Sequence, residues 1–197
     1  TPVQKECLAA IKGDKPELRP ELWESLTFWS QSLDVPAQRN RDKPEFKAGE
    51  KLFESAGCSG CHVPEMRTGK YPAVPQIANK LIRPYTDLLL HDMGPGLADN
   101  LGEGQASGAE WRTAPLWGLG VSACVTGGVT GQPGGVPFGV DGNEVCVPKA
   151  SYLHDGRART IEEAILWHGG EGQNAKNGYV ALSASQKQDL LRFLQSL

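Results

Sequence analysis

Side chains that could ligate a soft or borderline metal are scarce in this chain of 197 residues, which holds two methionines and four histidines. A metal bound through thioether sulfur or imidazole must therefore draw on Met66, Met93, His62, His91, His154 and His168. Excess positive charge is also missing. The formal net charge is -3, which gives no basic surface for a phosphate backbone and sets nucleic acid aside as a partner. No apolar run approaches the ~20 residues that a membrane-spanning helix needs. No signal peptide opens the chain, so one either never existed or has been removed. Glycine and proline, by contrast, are plentiful at 24 and 14. They predict much irregular backbone, with short helices holding loops in place. Loop-rich chains of this kind often fold around something besides their own side chains. Its length admits one large domain or two small ones.

The stretch "SAGCSGCHVPEM", Ser55 to Met66, carries the densest chemistry. Cys58 and Cys61 lie two residues apart, and His62 follows at once. Two thiols on one helical turn can each add to a haem vinyl group, and the next histidine then lies under the iron as an axial ligand. Two other readings of the motif remain. A zinc site needs a second cysteine or histidine pair at ligand spacing, and none is visible. A thioredoxin-type pair needs an alternating strand and helix pattern and has no use for His62. The preceding "PEFKAGEKLFESAG" reads as a helix through Ala48, Leu52 and Phe53 that breaks at Gly57. A plain amphipathic surface helix would explain the stripe but not the cysteines placed after it.

A second axial ligand is the next question. Met66 is too close to the attachment motif for the chain to loop over the opposite haem face. Met93, in "LLLHDMGPG", is a plausible loop ligand. His168 ends "RTIEEAILWHGG", the most legible helix in the chain. Thr160 followed by Glu163 reads as a capping box. Ile161, Ala164, Ile165 and His168 share one helical face, and Gly169 and Gly170 close it. A histidine in that place is either a satisfied core residue or the ligand that a haem would need.

"YTDLLLHDMGPGLAD", "EWRTAPLWGLG", "SYLHDGRARTIEEAILWHGGE" and "SASQKQDLLRFLQSL" occur in this order. Together they resemble the C-terminal haem domain of the bacterial di-haem cytochrome c peroxidase and MauG superfamily. The similarity is greatest to its di-haem oxidoreductase branch, often labelled thiol oxidoreductase-like, and runs from about Phe46 to Leu197. In the peroxidases the distal ligand of this haem is a methionine on the helix after the His-Asp-Gly turn; in MauG it is a tyrosine. The resemblance puts His168 at that place and implies one haem c held by Cys58, Cys61, His62 and His168, with Met93 as the alternative ligand. That departs from the methionine of the peroxidases, so their high-potential electron-entry role does not transfer unchanged. Arg112, Arg157 and Arg159 are the arginines best placed to pair haem propionates. Trp111, Trp117 and Trp167 are expected to pack around the porphyrin. His91 is expected in a structural or haem-edge role, and His154 in a tight turn or against the haem. The di-haem peroxidases also hold a calcium ion (Ca2+) between their domains. The backbone around Lys149 to Ser151 matches that neighbourhood.

Between "LWGLG" and "SYLHDG" the family has a shorter link, so residues 121–150 look like an insertion. Cys124 and Cys146 lie near its ends and are expected to close it as a disulfide in an oxidising compartment, over a small β-hairpin. Two free buried thiols are the alternative. Cys7 is left over. "LTFWSQSL", Leu26 to Leu33, echoes "LLRFLQSL", Leu190 to Leu197, the closing helix of a cytochrome c domain. Residues 1–45 therefore read as the closing helix and linker of a preceding haem domain, and residues 46–197 as the c-type cytochrome domain. That earlier haem domain is expected as a partner, together with a small redox protein as electron donor or acceptor. A natural single-haem protein with an added N-terminal helix is the alternative.

The expected fold is mainly α and cytochrome c-like. Short helices are expected near Glu21–Leu33, Ala48–Ala56, Tyr85–Leu90, Ile161–His168 and Ser185–Leu197. The expected function is electron transfer by a bis-histidine haem, in a periplasmic, exported bacterial protein. The alternatives are a catalytically active peroxidase or oxidoreductase, a free-standing His/Met mono-haem carrier, and an iron-handling accessory.

Overall fold

The computed structural model describes residues 2–13, 15–33, 35, 37–71, 74–127, 136–138, 144–146, 149 and 151–197. It divides into two compact units, Thr1–Asp34 and Val35–Leu197. The first holds two helices, α1 (Pro2–Ala9) and α2 (Pro20–Ser32). Pro20 opens α2, where a missing N–H costs nothing, and Glu21 sits in its first turn. No residue of α2 is buried.

The second unit carries the remaining described helices: α3 (Pro44–Ser55), α4 (Leu119–Gly127), α5 (Ile161–Trp167), α6 (Gln173–Val180) and α7 (Ala184–Ser196). Strands are short and paired in twos, all antiparallel. Met66–Arg67 (β1) pairs with Leu81–Ile82 (β2), Leu90–Asp92 (β3) with Glu110–Arg112 (β4), and Val136–Phe138 (β5) with Glu144–Cys146 (β6). The protein is therefore mainly helical, as the sequence predicts, with an antiparallel strand pair, β5 and β6, where a small hairpin is expected.

Helices of seven to thirteen residues are marginal alone, so packing decides their stability. α7 starts with a capping box: Ser183 Oγ accepts from the Gln186 N–H, and the Gln186 side chain accepts from the Ser183 N–H. It lays Leu190, Phe193 and Leu194 against α3, where Phe53 is buried. Phe53 and Phe193 meet at 5.5 Å between ring centres, and Tyr85 stands edge-on to Phe53 at 5.9 Å. Residues ahead of α3 join the same core. The Gln38 amide donates to Ser196 Oγ, and the Arg39 N–H donates to the Ser196 carbonyl.

Two expectations fail in instructive ways. Tyr85–Leu90 is not a helix. Tyr85 and Leu88 have φ of +54° and +62°, values that no α-helix accommodates. The segment instead spends its polar groups across the fold: Thr86 N–H donates to the Val63 carbonyl, and Thr86 Oγ1 to the Thr113 carbonyl. The capping box at Thr160 is half made. Thr160 Oγ1 accepts from the Glu163 N–H, but the Glu163 carboxylate reaches past Thr160 to the Arg159 N–H. The helices α1, α4 and α6 were not expected. The turn around Lys149 to Ser151 includes Ala150, which lies outside the described residues, and with it the calcium expectation. The expected Cys124–Cys146 bridge also lies outside them, because the Cys146 side chain is not described; the helix and strand that carry the two residues, α4 and β6, pack together.

Candidate haem site

Gly57, at φ +88°, turns the chain out of α3 into the single 3-10 turn Cys58–Gly60. The His62 N–H donates to the Cys58 carbonyl, which puts both cysteines and the histidine on one helical turn. Burial pushes the Cys58 thiol up to about 11. The Cys61 thiol is also raised, by burial first and then by the negative charges of Asp87 and Glu171. A reactive dithiol of the thioredoxin kind needs the opposite shift. These thiols stay protonated, and both are free in the chain itself.

His62 is held by the irregular segment that replaces the expected helix. Its Nδ1 lies 3.0 Å from the Tyr85 carbonyl. As donor to that oxygen, Nδ1 carries the proton, which leaves the lone pair on Nε2. Burial lowers the imidazole to about 4 and keeps it neutral, against the pull of the Tyr85 carbonyl.

His168 is not the last helical residue but the residue that ends α5, with φ -57° and ψ 134°. The expected helix runs one residue too far, because the chain turns out at His168 to meet the glycines. The ring nevertheless stays against its own helix: Nδ1 lies 2.8 Å from the Ala164 carbonyl. Here too Nε2 is left for a metal, and burial keeps the ring neutral by lowering its pKa.

The two imidazoles lie 6.5 Å apart between ring centres, with their planes tilted by 50°. A metal–imidazole nitrogen bond of about 2 Å, plus about 1 Å from nitrogen to ring centre, puts two rings that share one metal about 6 Å apart. The donor set therefore fits an iron held between His62 and His168, beside two free thiols on the same helical turn as His62. Met93 is close by. A carbon added at Gly172 would lie 3.1 Å from Met93 Cε and 3.3 Å from His168 Cδ2.

A second grouping sits beside Cys61. Its sulfur, a carboxylate oxygen of Asp87 and a ring nitrogen of His91 lie within 4.8 Å of one another. His91 is already engaged, with Nε2 2.8 Å from Asp87 Oδ2 and Nδ1 2.9 Å from Glu171 Oε2. Those two carboxylates raise its pKa, Glu171 most. A ring donating from both nitrogens has no lone pair for a metal.

The remaining candidates find protein partners. Trp111 stacks on His154 at 3.4 Å with 9° between planes, and its Nε1–H donates to the Leu97 carbonyl. Arg157 pairs with Asp155 through Nε at 2.6 Å, donates to the Gly96 carbonyl, and lies 4.7 Å from the Trp167 ring centre. Arg159 pairs with Glu163. Arg112 is exposed, and Trp117 is partly buried. Sequence reasoning missed Glu171 and Asp87. Glu171 stands three residues after His168, and that proximity was its only signal.

A solved structure, hydrazine synthase of Kuenenia stuttgartiensis, is similar over 91% of this chain at 23% identity and a TM-score of 0.43. The chain spans 56% of that protein's length. No curated protein matches. Residues 12–132 and 135–197 match the family described as "Di-haem oxidoreductase, putative peroxidase", and with nearly its whole length covered the chain belongs to the di-haem oxidoreductase family, whose cofactor is haem.

Proposed function

We propose that this chain is an electron-transfer haem c domain of a di-haem, peroxidase-like oxidoreductase. Cys58 and Cys61 anchor the haem, and His62 and His168 are its axial ligands. The observation that carries this reading is the 6.5 Å separation of the two imidazoles, each with Nδ1 on a backbone carbonyl. Bound haem supplies a one-electron iron couple. The chain's part is to fill both axial positions with neutral nitrogens and to back His62 with the Phe53 ring, 6.4 Å away between centres. That arrangement leaves no open position for peroxide. Substrate chemistry then belongs to the second haem of such an enzyme. The purified ferric protein should give a low-spin bis-imidazole magnetic-resonance signal that ignores added cyanide and peroxide. A high-spin signal that shifts with cyanide would overturn this assignment and favour catalysis in this chain.

The bacterial periplasm is an oxidising compartment in which disulfides form and persist. We place the protein in the bacterial periplasm with a Cys124–Cys146 bridge across the insertion. We also propose a second c-type haem unit as the partner of α2. The eight residues Leu26–Leu33 align with Leu190–Leu197. Leu190 and Phe193 of α7 and the capping Leu197 are at most 2% exposed, whereas the matched Leu26, Trp29 and Leu33 are 48%, 58% and 55% exposed. Each has about half of its surface left to bury, which would contribute about half of the ~1.5–3 kcal/mol of a full burial. Native mass spectrometry reads both proposals. The chain should weigh two hydrogens less than its thiol form. A haem-bearing partner should bind and be lost on Trp29→Ser. A thiol-form mass sinks the bridge, and a partner indifferent to Trp29 sinks the docking.

A further inference from the structure

The loop that carries Met93 and the turn that follows His168 are laced together backbone to backbone. Gly170 has φ +50°, and a carbon added there would collide with the Asp92 carbonyl, the Gly94 nitrogen and the Met93 carbonyl carbon. A carbon at Gly169 would lie 3.0 Å from the Met93 carbonyl oxygen, and one at Gly94 3.0 Å from the Gly170 nitrogen. One carboxylate fastens this seam. Glu171 Oε1 accepts from the Asp92 N–H at 3.0 Å, and Oε2 pairs with His91 Nδ1 at 2.9 Å. His91 is anchored in turn by Asp87 at 2.8 Å. Beyond the latch, the Met93 N–H donates to the Ala109 carbonyl, and the Gly94 N–H to Asp92 Oδ1.

The seam therefore fixes two side chains that can both serve iron, and Met93 Cε and His168 Cδ2 both border Gly172, 3.1 and 3.3 Å from a carbon added there. We propose that Glu171 is a positioning residue that keeps His168 on the haem iron and Met93 off it. It does so by gripping His91 and the Asp92 N–H and so locking the Met93 loop. The inference rests on the His62/His168 reading above. Loss of the grip frees the loop to slide the length of one side chain. Met93 Sδ then replaces His168 Nε2: an iron–nitrogen bond breaks and an iron–sulfur bond forms. Both donors are neutral, so the exchange consumes no proton and no electron. Glu171 is exposed along over half its side chain, so a bare surface ion pair would contribute little. The grip is stronger than that, because the acceptor is charged, one donor is a backbone N–H and His91 is largely buried.

The test uses the haem-loaded protein in both oxidation states. Glu171→Ala should show a thioether-to-iron charge-transfer band and a raised reduction potential, as methionine ligation does. Glu171→Gln, which keeps an acceptor for the Asp92 N–H, should show less of each. The band should vanish in Glu171→Ala combined with Met93→Leu, an effect that general loosening would not produce. A Glu171→Ala protein with wild-type far-ultraviolet dichroism, spectrum and potential overturns the proposal. So does one that turns high-spin without the thioether band. If Glu171→Ala does not fold, His91→Asn removes one of the two gripped groups and carries the same readout. The wild-type spectrum keeps the two claims apart. A methionine-ligated wild type sinks the bis-histidine reading itself, whereas a bis-histidine wild type with an unresponsive Glu171→Ala sinks only the latch.

Discussion

Replacing His168 with alanine should convert the low-spin ferric signal to a high-spin one in essentially every molecule, and cyanide should then bind. The argument starts from geometry. His62 and His168 stand 6.5 Å apart between centres, and each has its Nδ1 committed to a carbonyl. Alanine removes the imidazole and leaves the helix end intact, since the cap interaction at this residue is between its own N–H and the Ile165 carbonyl. Met93 is the nearest replacement, but the Glu171 latch holds its loop. The single variant is therefore expected to open a coordination position, and adding Glu171→Ala should let the thioether close it. Covalent attachment through Cys58 and Cys61 should survive in both variants, so haem content is the internal control. A His168→Ala protein that retained its original spectrum would show that some other group ligates the iron.

Much of this site was legible before any coordinates. The Cys58–Cys61–His62 spacing works because its chemistry is local: one helical turn presents both sulfurs and the imidazole. His168 was legible because an apolar stripe, an N-cap and two glycines bracket it. The closing helix α7 was legible for the same kind of reason. What could not be read is what depends on backbone far from the residue. The Tyr85 carbonyl fixes the tautomer of His62 only because Tyr85 and Leu88 adopt left-handed backbone, and no residue type there signals it. Leu88, Leu89 and Leu90 look helical on propensity grounds, and tertiary hydrogen bonds through Thr86 override that preference. Glu171 looks like a solvated acid until β3 is placed beside it. The stack of His154 on Trp111 joins a turn to a strand 43 residues upstream in the chain, a separation no local pattern crosses.

The largest stability effect should come from Gly49, in the middle of α3. By helix propensity alone, alanine there should stabilise by ~1 kcal/mol. Sterics point the other way. A carbon at Gly49 would strike the Asp189 carbonyl oxygen and come within 2.5 Å of Phe193 Cβ. Neither obstacle is the free end of a flexible side chain, so neither can rotate aside. α3 and α7 must separate, and the Phe53–Tyr85–Phe193 cluster between them opens. Overpacking of this kind costs ~1–3 kcal/mol and sometimes more. A backbone clash belongs at or above the top of that range, so a net loss of ~2 kcal/mol remains after the propensity gain. In a domain of this size that lowers Tm by about 4–8 °C. Gly69 is the matched control: it has no atom within 4 Å of an added carbon, and Gly69→Ala should stay within about 0.5 kcal/mol of wild type. Thermal unfolding of the haem-loaded pair decides the matter. Equal midpoints would mean that α3 and α7 do not meet at this glycine, and the ring that backs His62 would then need another explanation. If Gly49→Ala alone falls, α3 and α7 cross at this glycine, and that crossing carries Phe53 to its place beside His62.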